Sequence, residues 1–341
     1  MPFSPDQLWS AWERVQENEG CAGADGVTVH DFARRAAPSM QRLLDRIVQS
    51  TYRPYPLLEI VVEKKPGRPD TRRLLVPTVA DRILQTAVAR HLSHAFEEEF
   101  LECSYGYRPG RSVDRAIARI RKCHELGYRF VVDADISAYF DNVDHRTLLD
   151  RLAARSLGAE VQGLLRSWIK GQMWDGHRIS PLRAGVPQGS PISPLLANFY
   201  LEEFDRELEK SGQKLIRYAD DFLVLSQTAG EAQQALLQTE TLLAASHLTL
   251  NEQKTHIVDF DHGFRFLGAL FLGDSTWIPW KHDKRRGRIL SMAPPLPPGL
   301  RARYELAPPK SALELALTKA EVYLPPPTFT PGTQGDDVAY L

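Results

Sequence analysis

Cysteine is scarce: three residues in 341, Cys21, Cys103 and Cys123, far apart in the chain. That scatter excludes a disulfide framework and the paired spacing of a cysteine metal site. Long apolar runs are missing too. No stretch approaches the roughly 18 apolar residues that a transmembrane helix needs. The N-terminal Met1-Pro2-Phe3-Ser4-Pro5-Asp6 lacks the basic and apolar regions of a leader peptide. These absences lead to the expectation of a reducing cytoplasm and no membrane partner. There is no internal repeat. Net charge is only −1, so no global basic excess announces a nucleic-acid binder.

What is present is a chain with 43% hydrophobic and 25% charged residues, enough for a large core and two or three lobes. Its charge is uneven. Lys64, Lys65, Arg68, Arg72 and Arg73 form one basic cluster, and Arg115, Arg119, Arg121 and Lys122 a second. A third holds Lys281, Lys284, Arg285, Arg286 and Arg288. Local basic surface binds phosphates whatever the total charge, although any one cluster is equally well an ordinary solvated face.

The most informative stretch is Tyr218-Ala219-Asp220-Asp221, between the apolar runs 215–218 and 222–225. The flanks read as strands, and Ala-Asp-Asp reads as a tight hairpin turn, where Asp bonds its own backbone. Residues 129–136 read as a buried strand that ends in Asp133-Ala134-Asp135. Strands converging in one sheet bring Asp135 beside Asp220. Asp133 shares a strand face with Asp135, and the sequence leaves open which of them is the ligand. Clustered carboxylates raise each other's pKa unless cations neutralise them. Two divalent ions about 3.5–4 Å apart are the usual solution for in-line phosphoryl transfer. The plain alternative makes each Asp a turn or capping residue.

Periodicity predicts helices over residues 6–19, 29–50, 79–100, 113–126, 144–152, 161–170, 194–210 and 231–246. It predicts strands over 57–62 and 72–76, a strand or strand pair over 264–272, and a turn at 66–70. After Asp274 proline becomes frequent and one helix candidate remains, 311–323, which reads as a semi-rigid linker.

Several stretches occur in the order and spacing of reverse transcriptase motifs. They are 130–141, Pro187-Gln188-Gly189-Ser190-Pro191 with its continuation to Asn198, 218–221, Leu250-Asn251-Glu252-Gln253-Lys254-Thr255 and Phe266-Leu267-Gly268. Upstream, Arg73 to Thr78 with Asp81, Arg82 and Gln85, and Ser104-Tyr105-Gly106-Tyr107-Arg108-Pro109-Gly110-Arg111-Ser112, are similar to the family's finger motifs. The chain most resembles the bacterial group II intron type over about residues 23–272. One such motif is weak evidence; seven in register are strong.

The resemblance implies an α+β right-hand polymerase fold with fingers, an antiparallel palm sheet and a reduced or absent thumb. The expected division is 1–128 for the N-terminal region and fingers, 129–274 for the catalytic palm with inserted finger helices, and 275–341 for a reduced thumb or proline-rich linker. It further implies two Mg²⁺ (or Mn²⁺) ions held by Asp135 and Asp220, with Asp221 supporting the second ion or the primer end. Lys254 matches a proposed general acid for the pyrophosphate. Lys65 and Arg72, with Lys64 and Arg73 as neighbours in register, match the residues that hold the triphosphate. Phe140 matches a bulky gate against the sugar 2′-hydroxyl, and Gln188 and Gly189 line the incoming nucleotide. Phe266, Leu267 and Gly268 match the primer grip.

The expected activity is RNA-directed DNA synthesis, with an RNA template, a DNA or RNA primer and deoxynucleoside triphosphates as partners. The short proline-rich tail resembles the linker of CRISPR-associated reverse transcriptases. It points to spacer acquisition from RNA beside an integrase, with this chain as a fragment of a larger protein. The alternatives are an intron-derived or anti-phage reverse transcriptase and, from another class, an inactive RNA-binding scaffold.

Overall fold

The computed structural model describes residues 4–63, 71–278, 289–301 and 304. Lys64, Lys65 and Arg68, the turn at 66–70, the basic run at 281–288 and the helix expected at 311–323 lie outside them.

Helix α1 (Pro5–Asn18) starts at Ser4, whose side chain accepts from the Gln7 amide in a capping box. Its buried stripe of Leu8, Ala11, Trp12 and Val15 packs on α4. The helix expected over 29–50 is two helices, α2 (Val29–Ala33) and α3 (Ala36–Val48). Pro38 is the cause. In one continuous helix its ring would meet the carbonyl of residue 34, whereas in the first turn of α3 its missing N–H costs nothing. Strand β1 (Leu57–Glu63) pairs antiparallel with β2 (Thr71–Val76), Leu58 opposite Val76 and Glu63 opposite Thr71. The long helix α4 (Val79–Glu97) follows, capped by Thr78, and then α5 (Val113–Glu125), capped by Ser112.

The central strand β3 (Phe130–Asp135) leads into one short turn of helix, α6 (Tyr139–Asn142), then α7 (His145–Ala153) and α8 (Ala159–Ile169). Asp144 caps α7 as its position predicts. Short strands β4 (Gln172–Trp174) and β5 (Ile179–Pro181) precede α9 (Ser193–Lys210). The hairpin β6 (Lys214–Tyr218) and β7 (Asp221–Ser226) comes next, then α10 (Ala229–Ala245). The remaining elements are β8 (His256–Asp259), β9 (Phe264–Phe266), β10 (Ala269–Leu272), β11 (Ser275–Trp277), β12 (Ile289–Met292) and α11 (Pro298–Arg301).

These strands make three sheets. The central one runs β6-β7-β3-β8, antiparallel throughout. A second runs β12-β1-β4-β5 with β2 on β1, and a third runs β11-β10-β9. The central sheet is covered on both faces, which is why its strands are almost continuously apolar. Val132, Ala134, Phe222 and Val224 face the main core with α9 and α10. Their alternates Val131, Leu223 and Leu225 face a second core, where α5 meets Phe260, Phe264, Phe266 and Phe271.

Candidate active site

The carboxylates converge at one end of the central sheet. Asp135 is the last residue of β3 and stands opposite Asp221, the first residue of β7. The turn is therefore only Ala219-Asp220, and Asp221 belongs to the strand rather than to the turn that the sequence implies. The Ile136 amide donates to the Asp220 carbonyl at 3.4 Å, so the turn backbone lies alongside the end of β3 and continues its pairing with β7. Asp133 and Asp135 take different places relative to the hairpin turn. Asp133 lies opposite Leu223 and His256, two residues back from the hairpin. Burial pushes its carboxyl up to about 6, with Asp135 adding to the rise and His256 opposing it.

Asp135 is buried and held from the turn that precedes β8. The Asn251 amide donates to its carbonyl at 2.8 Å, Asn251 Nδ2 to its Oδ2 at 3.2 Å, and Lys254 Nζ to the same oxygen at 2.8 Å. Lys254 is set on a turn just before β8. Its pKa is raised chiefly by the hydrogen bond to Asp135, against some desolvation. The other two carboxylates carry the electrostatic cost of this crowding. Asp220 is raised by burial and then by Asp135, with Arg72 and Lys254 pulling it back. Asp221 is pushed up to about 7, first by desolvation in the crowded site and then by Asp220 and Asp135.

Among the described residues, no three carboxylate, His or Cys side chains close into a cage that holds a metal ion alone. The donor set nevertheless fits hard divalent cations. Mg²⁺ in phosphoryl-transfer sites is bound through one or two carboxylates, water and substrate phosphates rather than through an all-protein cage. Crowded carboxylates with raised pKa values are what a cation stabilises.

The other predicted residues fall around this end of the sheet or beyond it. Arg72 and Arg73 lie exposed on β2, opposite Val62 and Val61. Arg73 reaches Asp141 at 3.7 Å and Glu59 at 4.0 Å. Phe140 lies in α6, its ring 5.5 Å from that of Tyr139 and edge-on to it. Its carbonyl accepts from the Val186 amide at 2.7 Å, which ties α6 to the loop before α9. In that loop the Gln188 carbonyl accepts from the Leu75 amide at 2.8 Å. Gly189 has φ +111, and a Cβ there would lie 3.3 Å from the Leu75 carbonyl oxygen, so glycine suits both its backbone and its space. Phe266, Leu267 and Gly268 form the tip of the β9–β10 hairpin, with Phe266 buried in the second core. Lys65 lies outside the described residues.

Sequence reasoning missed a buried polar group beside the hairpin: Arg217, Asp205, Asn198 and Ser104. The signal was an arginine inside the otherwise apolar strand 215–218. It also left Asn251 without a role, although that residue bonds both the backbone and the side chain of Asp135.

Comparison with known proteins identifies the family. Residues 62–271 match the family described as reverse transcriptase (RNA-dependent DNA polymerase). The chain is 32% identical to protein YkfC of Escherichia coli over 285 residues, 72% of this chain and 74% of that protein. It is 30% identical to the group II intron-encoded protein LtrA of Lactococcus lactis subsp. cremoris, over 59% of this chain and 33% of LtrA. A solved chain from a partial Cas6-RT-Cas1–Cas2 complex shares 31% identity at a TM-score of 0.43, over 71% of this chain and 40% of that one. The chain thus spans about three quarters of YkfC, a third of LtrA and two fifths of that solved chain. It belongs to the reverse transcriptase family, the RNA-dependent DNA polymerases.

Proposed function

We propose that the chain extends a primer 3′-hydroxyl with deoxynucleotides on an RNA template, using Asp135 and Asp220 as ligands for two divalent cations. The observation that carries this reading is the convergence of three carboxylates where β3 meets the β6–β7 hairpin. Polymerases of this family use divalent metal ions. When bound, Mg²⁺ or Mn²⁺ would lower the pKa of the attacking hydroxyl and neutralise the triphosphate and the departing pyrophosphate.

The chain's own residues supply the rest. Asp135 and Asp220 hold the cations, and Asp221 supports the second cation or the primer end. Arg72 and Arg73, with Lys65, pair with the triphosphate; guanidinium and ammonium groups are the standard phosphate partners. Phe140 offers a 2′-hydroxyl neither a hydrogen bond nor room, which selects deoxynucleotides. Gln188 and Gly189 line the nucleotide, with Gly189 allowing close backbone approach. Phe266, Leu267 and Gly268 seat the primer end. Lys254 donates its proton to the leaving pyrophosphate, a general-acid role. In this reading residues 1–128 supply the N-terminal region and fingers, and 129–274 the palm with its inserted finger helices.

Primer extension on defined RNA and DNA templates tests the reading. The expected result is RNA-templated incorporation of deoxynucleotides that stops on chelation of divalent cations and returns with Mg²⁺. Incorporation that survives chelation, or none on any template, overturns it.

We further propose a setting in spacer acquisition from RNA beside an integrase. Its support is the proline-rich composition after residue 274. An integrase gene next to this one, or continuing its reading frame, is the expected neighbour. An intron or an unrelated defence operon there favours the intron-derived or anti-phage alternatives.

A further inference from the structure

Arg217 is the largest fully buried side chain among the described residues, at 0% exposure. Its neighbours in β6, Leu215 and Ile216, are aliphatic, and an aliphatic residue would serve the strand equally well. A guanidinium in such a place is costly unless every donor is matched. Arginine has five N–H donors, and all five are used. Nε donates to Asp205 Oδ1 at 2.7 Å, and Nη2 to Asp205 Oδ2 at 2.5 Å and Ser104 Oγ at 2.9 Å. Nη1 donates to Asn198 Oδ1 at 2.9 Å and to the Ala219 carbonyl at 3.1 Å.

These acceptors belong to three separate parts of the fold. Asp205 and Asn198 come from α9, Ser104 from the loop before α5, and Ala219 from the turn that carries Asp220. Asn198 extends the connection, since its Nδ2 donates to the Gly106 carbonyl at 2.7 Å. The loop is also zipped to β6 by backbone. The Tyr105 amide donates to the Arg217 carbonyl and the Arg217 amide to the Cys103 carbonyl, both at 2.8 Å. Ala219 itself has φ +59, a left-handed conformation that an alanine adopts only at a cost. The Ala219 carbonyl is half of the peptide group whose other half is the Asp220 amide. A bond to that oxygen therefore fixes the backbone from which the Asp220 carboxylate projects.

We propose that Arg217, Asp205 and Asn198 form a positioning clamp that holds the Ala219–Asp220 peptide in its strained turn and ties it to the 103–107 loop. The clamp rests on the reading of Asp220 as a cation ligand. Its residues touch no reacting atom. They act through Asp220 by keeping its carboxylate preorganised beside Asp135.

Arg217→Lys and Asn198→Ala test this against wild type in the full chain. Lysine keeps the charge beside Asp205 but loses the planar fork, so a purely ion-pairing role predicts wild-type behaviour. The first readout is amide hydrogen exchange of the metal-free protein. Exchange should rise about 10-fold or more in peptides covering 216–223 and 103–107 and stay unchanged in α1 and α4. The second is Mn²⁺ binding followed by electron paramagnetic resonance, which should weaken about 5- to 10-fold. The third is kinetic: kcat should fall about 10- to 100-fold at saturating metal with KM for primer–template unchanged. If Arg217→Lys does not fold, Asn198→Ala decides alone. Folded variants with wild-type exchange and wild-type Mn²⁺ affinity overturn the clamp. Asp220→Ala separates the two claims. If it binds Mn²⁺ as wild type does, the ligand reading fails. If it loses Mn²⁺ while both clamp variants keep it, only the clamp fails.

Discussion

Phe140 and Lys254 are the residues whose proposed roles depend most on geometry that the chain already displays. The Phe140 ring packs edge-on to Tyr139 and against the main core, so its position is set by packing before any nucleotide arrives. Phe140→Val should lower the preference for deoxynucleotides over ribonucleotides about 10- to 100-fold, the scale of one hydrophobic steric contact. Competition between labelled dATP and ATP in primer extension reads this directly, and unchanged selectivity removes Phe140 from the gate. Lys254 is held at 2.8 Å from Asp135 by charge pairing. Lys254→Ala should lower kcat about 100-fold with little change in KM, the range of a lost general acid. An equal loss in binding instead of turnover would make Lys254 a phosphate-pairing residue. Arg217 shows a different limit of residue-scale reading. A charged residue in an apolar strand is a visible anomaly, but its five acceptors lie up to 113 positions away and appear only when the chain folds.

At the scale of elements, the signals that could be read in advance were local ones. The β6–β7 hairpin, β3 ending at Asp135, and the capped helices all follow from short patterns of apolar, turn and capping residues. The break between α2 and α3 was also written locally, in Pro38, yet the helical periodicity on either side masked it. Strands β4, β8 and β12 were not legible, because each is short and acquires its partner from distant sequence. Without β8 the turn that presents Asn251 and Lys254 to Asp135 has no visible reason to be there. The contact between the 103–107 loop and the hairpin is of the same kind. A Cβ on Gly106 would lie 2.7 Å from the Ala219 amide nitrogen. Gly106→Ala should therefore destabilise the protein by about 1–3 kcal/mol, as overpacking does. Thermal unfolding checks this, and a wild-type midpoint would mean that the loop yields without cost.

Across the whole molecule, the loop of residues 19–27 joins the N-terminal helices to the segment after β12. Arg82 donates to the Glu19 and Cys21 carbonyls at 3.1 and 2.8 Å, and the Leu296 amide donates to the Ala24 carbonyl at 2.8 Å. Asp25 in this loop is pushed up to about 6, mainly by burial, although the Val27 amide donates to it at 3.0 Å. Its pKa is higher folded than unfolded, so the folded state holds the proton longer. Stability is lost as pH rises from about 4 to 6, by on the order of 2–3 kcal/mol at most. Asp25→Asn keeps the acceptor and removes the titration, so its unfolding midpoint should gain on wild type between pH 4 and pH 7. An equal difference at both pH values contradicts this. The central claim is that Asp135 and Asp220 form the catalytic centre of an RNA-directed DNA polymerase. The most direct measurement is the single-turnover rate of deoxynucleotide addition to a primer on an RNA template, wild type beside Asp220→Ala, at saturating Mg²⁺. The prediction is a loss of at least about 10³-fold with the fold intact; equal rates for the two proteins would contradict it.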